Sequence, residues 1–152
     1  MTAPEPPPMQ LALAEARAAG QRGEVPVGAV VVDGKNGHVL AAAGNRVEEL
    51  ADPTAHAEVL AIREAAAAAG RPRLDGMDLY VTLEPCAMCA AAIALARVRK
   101  LTFGAYDAKM GGVEHGAQVF RQPTCHHRPE VVGGVEETES AALLKRFFAG
   151  KR

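Results

Sequence analysis

A chain of 152 residues fits one domain with a real core, and its 49% hydrophobic and 23% charged residues exclude a disordered or fibrous protein. Arg, Glu or Lys interrupts every apolar run before it could span a bilayer, which excludes a transmembrane helix. The net charge of -1 excludes a globally basic surface, so any footprint for nucleic acid must be local.

In chain order, residues 1–8 read as a flexible proline-rich N-terminus without the basic-then-apolar order of a secretory signal. Residues 9–152 read as a single domain. Met9 to Ala19 carries apolar residues at helical spacing and is expected to close at Gly20. Val27 to Val32 and Val39 to Ala43 read as strands, with Asp33-Gly34 and Asn36-Gly37 supplying a hairpin turn between them. Asp52-Pro53-Thr54 is expected to open an alanine-rich helix that runs to Ala69 and stops at Gly70. Leu79 to Leu83 is a buried strand, and Cys86 to Ala96 a helix with Pro85 at its start. Then come a strand over Leu101 to Ala105, a short helix over Glu114 to Phe120, a last strand at Val131-Val132 and a helix over Glu137 to Phe148. This alternation predicts a three-layer α/β/α sandwich around one mixed sheet, antiparallel at the hairpin and parallel where helices join the later strands. With 4% aromatic residues and no Trp, its core must be built from Ala, Val, Leu and Ile.

The three cysteines do not pair evenly, and Cys86 and Cys89 form a Cys-x-x-Cys, which in a cytoplasmic chain points to metal or redox chemistry. Two segments carry the chemistry, Thr54-Ala55-His56-Ala57-Glu58 and Leu83-Glu84-Pro85-Cys86-Ala87-Met88-Cys89. Residues three apart share a helix face, and a helix N-terminus favours thiolate over thiol. One His and two Cys make a three-ligand zinc site, one ion per chain, with the fourth position left for water, as in catalytic sites. Zinc lowers the pKa of water it holds from roughly 9 to roughly 7. Glu58, two residues after His56, can then carry protons to the substrate. The combination of His-x-Glu with Pro-Cys-x-x-Cys is the established signature of zinc-dependent base deaminases, matched here rather than deduced.

The chain also resembles the bacterial tRNA-specific adenosine deaminases of the cytidine and deoxycytidylate deaminase superfamily. The matching stretches include Glu24 to Val30, Asn45-Arg46, Asp52 to Glu58, Tyr80 to Cys86, Phe103-Gly104-Ala105, Asp107-Ala108-Lys109 and Phe147-Phe148. The resemblance implies a cytidine-deaminase-like fold, a homodimer, and conversion of the wobble adenosine of a tRNA anticodon stem-loop to inosine. It also implies base contact through Asn45 and RNA contact through Asp107, Lys109 and Phe148. Tyr106 stands where a basic residue is common in that family, and His126 where Asn is expected before His127-Arg128.

Plainer readings stand beside these. Asn45 by itself reads as a turn residue, and Cys125-His126-His127 as a loop with exposed His rather than a metal triplet. Arg121, Arg128, Lys145 and Arg146 are an RNA footprint or a solvated face. Phe147 and Phe148 are adjacent on a helix, so one of them is free to stack on a base or a partner subunit. Two rival functions remain: deamination of a free base or nucleoside such as guanine, cytosine or cytidine, and a non-catalytic zinc-built RNA-binding subunit.

Overall fold

Proline opens the first helix. A computed structural model describes residues 6–151, so the first five residues of the expected proline-rich lead-in lie outside the described chain; Pro8 already stands in the first turn of α1, where its missing N–H costs nothing. The elements are α1 (Pro8–Gln21), β1 (Gly28–Asp33), β2 (Val39–Gly44), α2 (Val47–Leu50), α3 (Ala57–Ala69), β3 (Met77–Leu83), α4 (Ala87–Ala96), β4 (Lys100–Ala105), a 3₁₀ turn (Val119–Arg121), β5 (Glu130–Val132) and α5 (Glu137–Ala149).

The strands form one mixed sheet in the order β2-β1-β3-β4-β5. β1 is antiparallel to both β2 and β3, while β3, β4 and β5 are parallel. Alternation along β1 divides the core between two faces. Ala29 and Val31 pack with Ala61 and Ala65 of α3 and Ile93 of α4, whereas Val30 and Val32 pack with Met9, Ala12 and Leu13 of α1. α5 joins α1 on its face. The three-layer sandwich expected from the alternation is therefore present.

The pairing directions also locate the site. β2, β3 and β4 point the same way, so the segments after them leave from one end of the sheet, joined there by the segment that leads into β1. Asn45, Glu84-Pro85-Cys86 and Tyr106-Asp107 are thereby gathered from distant parts of the chain. Ligand sites of open α/β sheets lie outside such strand ends.

The local reading is corrected in four places. α3 begins at Ala57, not at Asp52, because the Asp52 carboxylate accepts the Thr54 N–H at 2.8 Å and its hydroxyl at 2.7 Å, folding 52–54 into a turn. The single turn α2 went unpredicted; the buried Glu24 carboxylate accepts the Glu48 N–H at 3.0 Å and the Glu49 N–H at 2.8 Å and so caps it from outside. Glu114 to Phe120 is not a helix. Gly116 and Gln118 take φ 53° and 43°, left-handed backbone that interrupts a helical path, and only the 3₁₀ turn follows. α1 also continues past Gly20 to Gln21.

Small residues let α1 sit close on the sheet. A Cβ at Gly28 would lie 2.6 Å from Ala16 N and 2.9 Å from Glu15 Cβ, where backbone cannot yield cheaply. Gly28→Ala should therefore cost about 1–3 kcal/mol of stability, read as a lower urea midpoint at unchanged slope. A midpoint equal to wild type would show that α1 is not pressed against β1.

Candidate metal centre and active-site pocket

His56 and Cys86 occupy equivalent places, each the N-cap of a helix, with extended backbone at φ -76°, ψ 149° and φ -71°, ψ 174°. An N-cap side chain projects beyond the helix start, toward N–H groups that have no intrahelical partner. Neither residue caps its own helix with its side chain. At α3 that duty falls to Asn45, whose Oδ1 accepts the Ala57 N–H at 2.7 Å. The imidazole is thus left free to face Cys86 and Cys89.

His56 Nδ1 lies 3.7 Å from Cys86 Sγ and 3.4 Å from Cys89 Sγ. Tetrahedral zinc, with Zn–S near 2.3 Å and Zn–N near 2.0–2.1 Å, places such atoms about 3.6 Å apart. The three donor atoms all fall within 4.8 Å of one another, the single such group among the described residues. Two thiolates cancel the charge of Zn²⁺ and a neutral imidazole adds none, so the donor set suits a partly buried zinc.

The titration of the metal-free donors fits that role. The Cys86 thiol is pulled down to about 4, first by the hydrogen bond with Cys89, then by His56 and the Cys89 backbone, against the opposing effect of burial. The same contact with Cys86, then burial and the nearby Glu58, push Cys89 up. Two adjacent thiolates repel, so the second proton leaves only when a cation arrives. The hydrogen bond with Cys86 raises His56. Burial raises Glu58, which is 4% exposed, and outweighs the favourable pull of His56.

Of these groups, His56, Glu58 and Cys86 line a cavity of about 780 Å³. Asn45, Asp107 and Phe148 also line it, as does Lys151, whereas Lys109 is an exposed neighbour on the Asp107 loop and does not line it. Asn45 is not a plain turn residue. Its N–H donates to Val27 O at 3.1 Å, Arg22 donates to its carbonyl at 3.2 Å, and its Oδ1 holds α3. Because an N–H can only be met by the amide oxygen, the Asn45 orientation is settled and Nδ2 is the atom left to donate. The Asp107 carboxylate accepts the Lys109 N–H at 3.1 Å and the Met110 N–H at 3.0 Å, so it shapes its own loop. Cys125-His126-His127 gathers no metal group; His127 Nε2 donates to Val98 O at 2.6 Å.

Sequence reasoning assigned no role to Glu84 or Glu24. Both are 2% exposed carboxylates that bond backbone N–H groups far along the chain. Burial works against the charge on Glu84, but the hydrogen bonds from Asp107, His115 and Glu114 outweigh it and hold the carboxyl below its ordinary range. An acidic residue in a run that otherwise reads as buried, such as Leu83-Glu84-Pro85, was the available signal.

Residues 7–105 match the cytidine and deoxycytidylate deaminase zinc-binding region family. A tRNA-specific adenosine deaminase of Agrobacterium fabrum is 59% identical over 144 residues, which cover 95% of this chain and 93% of that one. A solved tRNA:A34 deaminase, studied for A-to-I editing at the wobble position of transfer RNA, superposes with a TM-score of 0.88 at 59% identity, covering 90% and 98% of the two chains. A guanine deaminase of Nitrosomonas europaea superposes with a TM-score of 0.81 at 26% identity, covering 93% and 83%.

Zinc uptake by the metal-free protein should release protons. Cys89 holds its proton well above the usual thiol range and His56 is raised, yet both must ligate unprotonated. Protons therefore compete with zinc, and affinity should fall about tenfold per pH unit on acidification for each proton released. Competition with a chromophoric chelator between about pH 6 and pH 8 measures this. An affinity independent of pH would show that these side chains are not the donors.

Proposed function

The chain belongs to the zinc-dependent cytidine and deoxycytidylate deaminase family, among its tRNA-specific adenosine deaminases, and we propose that it hydrolytically deaminates adenosine to inosine at the wobble position of a tRNA anticodon. Identity of 59% over 95% of the chain carries this reading. The exposed rims Met110 and Phe148 support it, because an open apolar mouth suits a base presented on a strand whose backbone must leave again.

His56, Cys86 and Cys89 would hold the zinc, which when bound makes water nucleophilic near neutral pH. Glu58 is the proton carrier in this reading. Burial raises its pKa, so it is able to take a proton from the attacking water and pass it to the ring nitrogen, then to carry the proton of the added hydroxyl to the departing amine. Asn45 Nδ2 is directed to an acceptor atom of the base, while its Oδ1 ties that contact to the helix bearing His56 and Glu58. Unstacking the base is cheapest in a single-stranded loop, where Phe148 offers a ring to stack on. No helix among the described residues is long and apolar enough to cross a membrane, and the cytoplasm, where tRNA is met, is the compartment this reading requires.

A homodimer completes the proposal. α4 (AMCAAAIALA) is apolar all round, and its outer face shows Leu95 at 79% and Met88 at 37% exposure. Such a helix is stable in water only when that face is covered, and a second copy paired about a two-fold axis is the commonest solution. Sedimentation should give twice the chain mass, and Leu95→Glu should give a monomer. A wild-type monomer at micromolar concentration would refute this part.

The function itself is tested by comparing an anticodon stem-loop with free adenosine, cytidine, cytosine and guanine. The stem-loop should have the highest kcat/KM, and Glu58→Gln should lower kcat by about 10²–10⁴ with zinc retained. Guanine as the preferred substrate would move the chain toward the guanine deaminases that share its fold.

A further inference from the structure

The loop after β4 forms the side of the pocket that carries Asp107 and Met110, and it is built around one carboxylate. The Glu84 side chain is fully buried and both oxygens are used. Oε1 accepts the Asp107 N–H at 3.0 Å and meets His115 Nδ1 at 2.8 Å; Oε2 accepts the N–H groups of Val113 at 3.2 Å, Glu114 at 2.9 Å and His115 at 3.1 Å. Close approach requires glycine, since a Cβ at Gly111 would lie 2.6 Å from Glu84 Cδ. The Gly112 N–H donates to Pro85 O at 2.8 Å, which fixes the loop against the start of α4.

Most of these bonds come from backbone and would be available to many loop sequences. The His115 ring is different. Among the described residues it is the one side chain that bonds Glu84, and it also stands edge-on to Tyr106, 6.3 Å away between centroids at 77°. Tyr106 in turn stands edge-on to the buried Phe103 at 5.0 Å. His115 therefore joins the two ends of the loop to the core, through Glu84 on one side and Tyr106 on the other.

We propose that His115 is a positioning residue that sets substrate fit, by locking residues 106–115 between Glu84 and Tyr106 so that Asp107 and Met110 are held at the pocket mouth. His115 has no hydrogen bond to His56, Glu58, Cys86, Cys89 or Asn45. Its influence falls on binding and leaves the chemical step alone. A side-chain amide offers one N–H in place of the Nδ1–H, so Asn is the conservative replacement.

The kinetic part rests on the RNA-deaminase reading; the clamp does not. Hydrogen exchange of the Asp107, Val113 and Glu114 amides, zinc content, melting temperature, and kcat and KM for an anticodon stem-loop are to be measured for wild type, His115→Ala and His115→Asn. His115→Ala should exchange faster at these amides and raise KM about tenfold, with kcat within about twofold and zinc unchanged. His115→Asn, which keeps a donor for Glu84 but not the ring edge against Tyr106, should restore part of both exchange and KM. Unchanged exchange in His115→Ala overturns the clamp. Faster exchange with unchanged KM overturns the control of substrate fit, and a joint fall of kcat, zinc and melting temperature reduces His115 to a structural role. A wild type inactive on the stem-loop refutes the substrate reading instead, and the exchange result still decides the clamp.

Discussion

A doubly charged ion held inside a small domain must be neutralised at its own position, because distant charges cannot offset its desolvation. Here the neutralising thiolates and the imidazole come from segments some thirty residues apart, with His56 on one helix start and Cys86 on another. Only a chain that brings two helix starts to the same place can do this. The strand directions supply that meeting: β2 and β3 run the same way, so the helices that follow them begin at one end of the sheet. The helix termini favour the thiolates, not the cation, which is why the two sulfur donors belong there. Close packing of α1 over Gly28 and of α3 over Ala29 and Val31 keeps the sheet that sets these positions rigid.

Three buried carboxylates surround the pocket, and their environments give them different duties. Glu24 is bonded to the N–H groups that open α2. Glu84 is saturated by the loop after β4, and its charge is favoured by the donors around it. Glu58 has no comparable set of backbone donors, and burial raises it. A saturated carboxylate organises structure because its lone pairs are already used. The carboxylate with spare capacity is the one able to exchange protons.

Much of this was legible in the residues because the metal donors announce themselves by type and spacing. His56, Cys86 and Cys89 stood out as candidate donors on that ground, and the structure brings their three donor atoms within 4.8 Å of one another. The order of strands and helices was legible for a similar reason, since apolar runs alternate with alanine-rich periodic ones. What escaped was decided by bonds across long separations. α2 is capped from Glu24, twenty-four residues away from Glu48, and the loop that stands where a helix was expected is folded around Glu84, thirty residues before Glu114. Asn45 illustrates the same limit: its position was found through family resemblance, but its bond to the Ala57 N–H is visible only once α3 and the end of β2 are adjacent. Lys109, named by the same resemblance, stands on the loop that carries Asp107 but outside the cavity lining.

The fold and the metal cannot by themselves choose the substrate, since a guanine deaminase shares the architecture at a TM-score of 0.81. A free base can be enclosed on every side. A base still attached to RNA cannot, because the sugar and phosphates must pass out through the wall. The cavity here meets that second condition: its floor is polar and partly buried, while Met110 and Phe148 remain 69% and 54% exposed at its mouth. Exposed apolar side chains cost little when a flat nucleobase covers them during binding. Discrimination then falls to the segments that shape the mouth, the end of α5 and the loop after β4. The first is helical and self-supporting, with Phe147 and Phe148 edge-on at 5.3 Å. The second has no regular structure between Tyr106 and Gln118, so its shape depends on what it is bonded to. That dependence makes the buried Glu84, which accepts four backbone N–H groups of the loop, the foundation of this wall of the cavity.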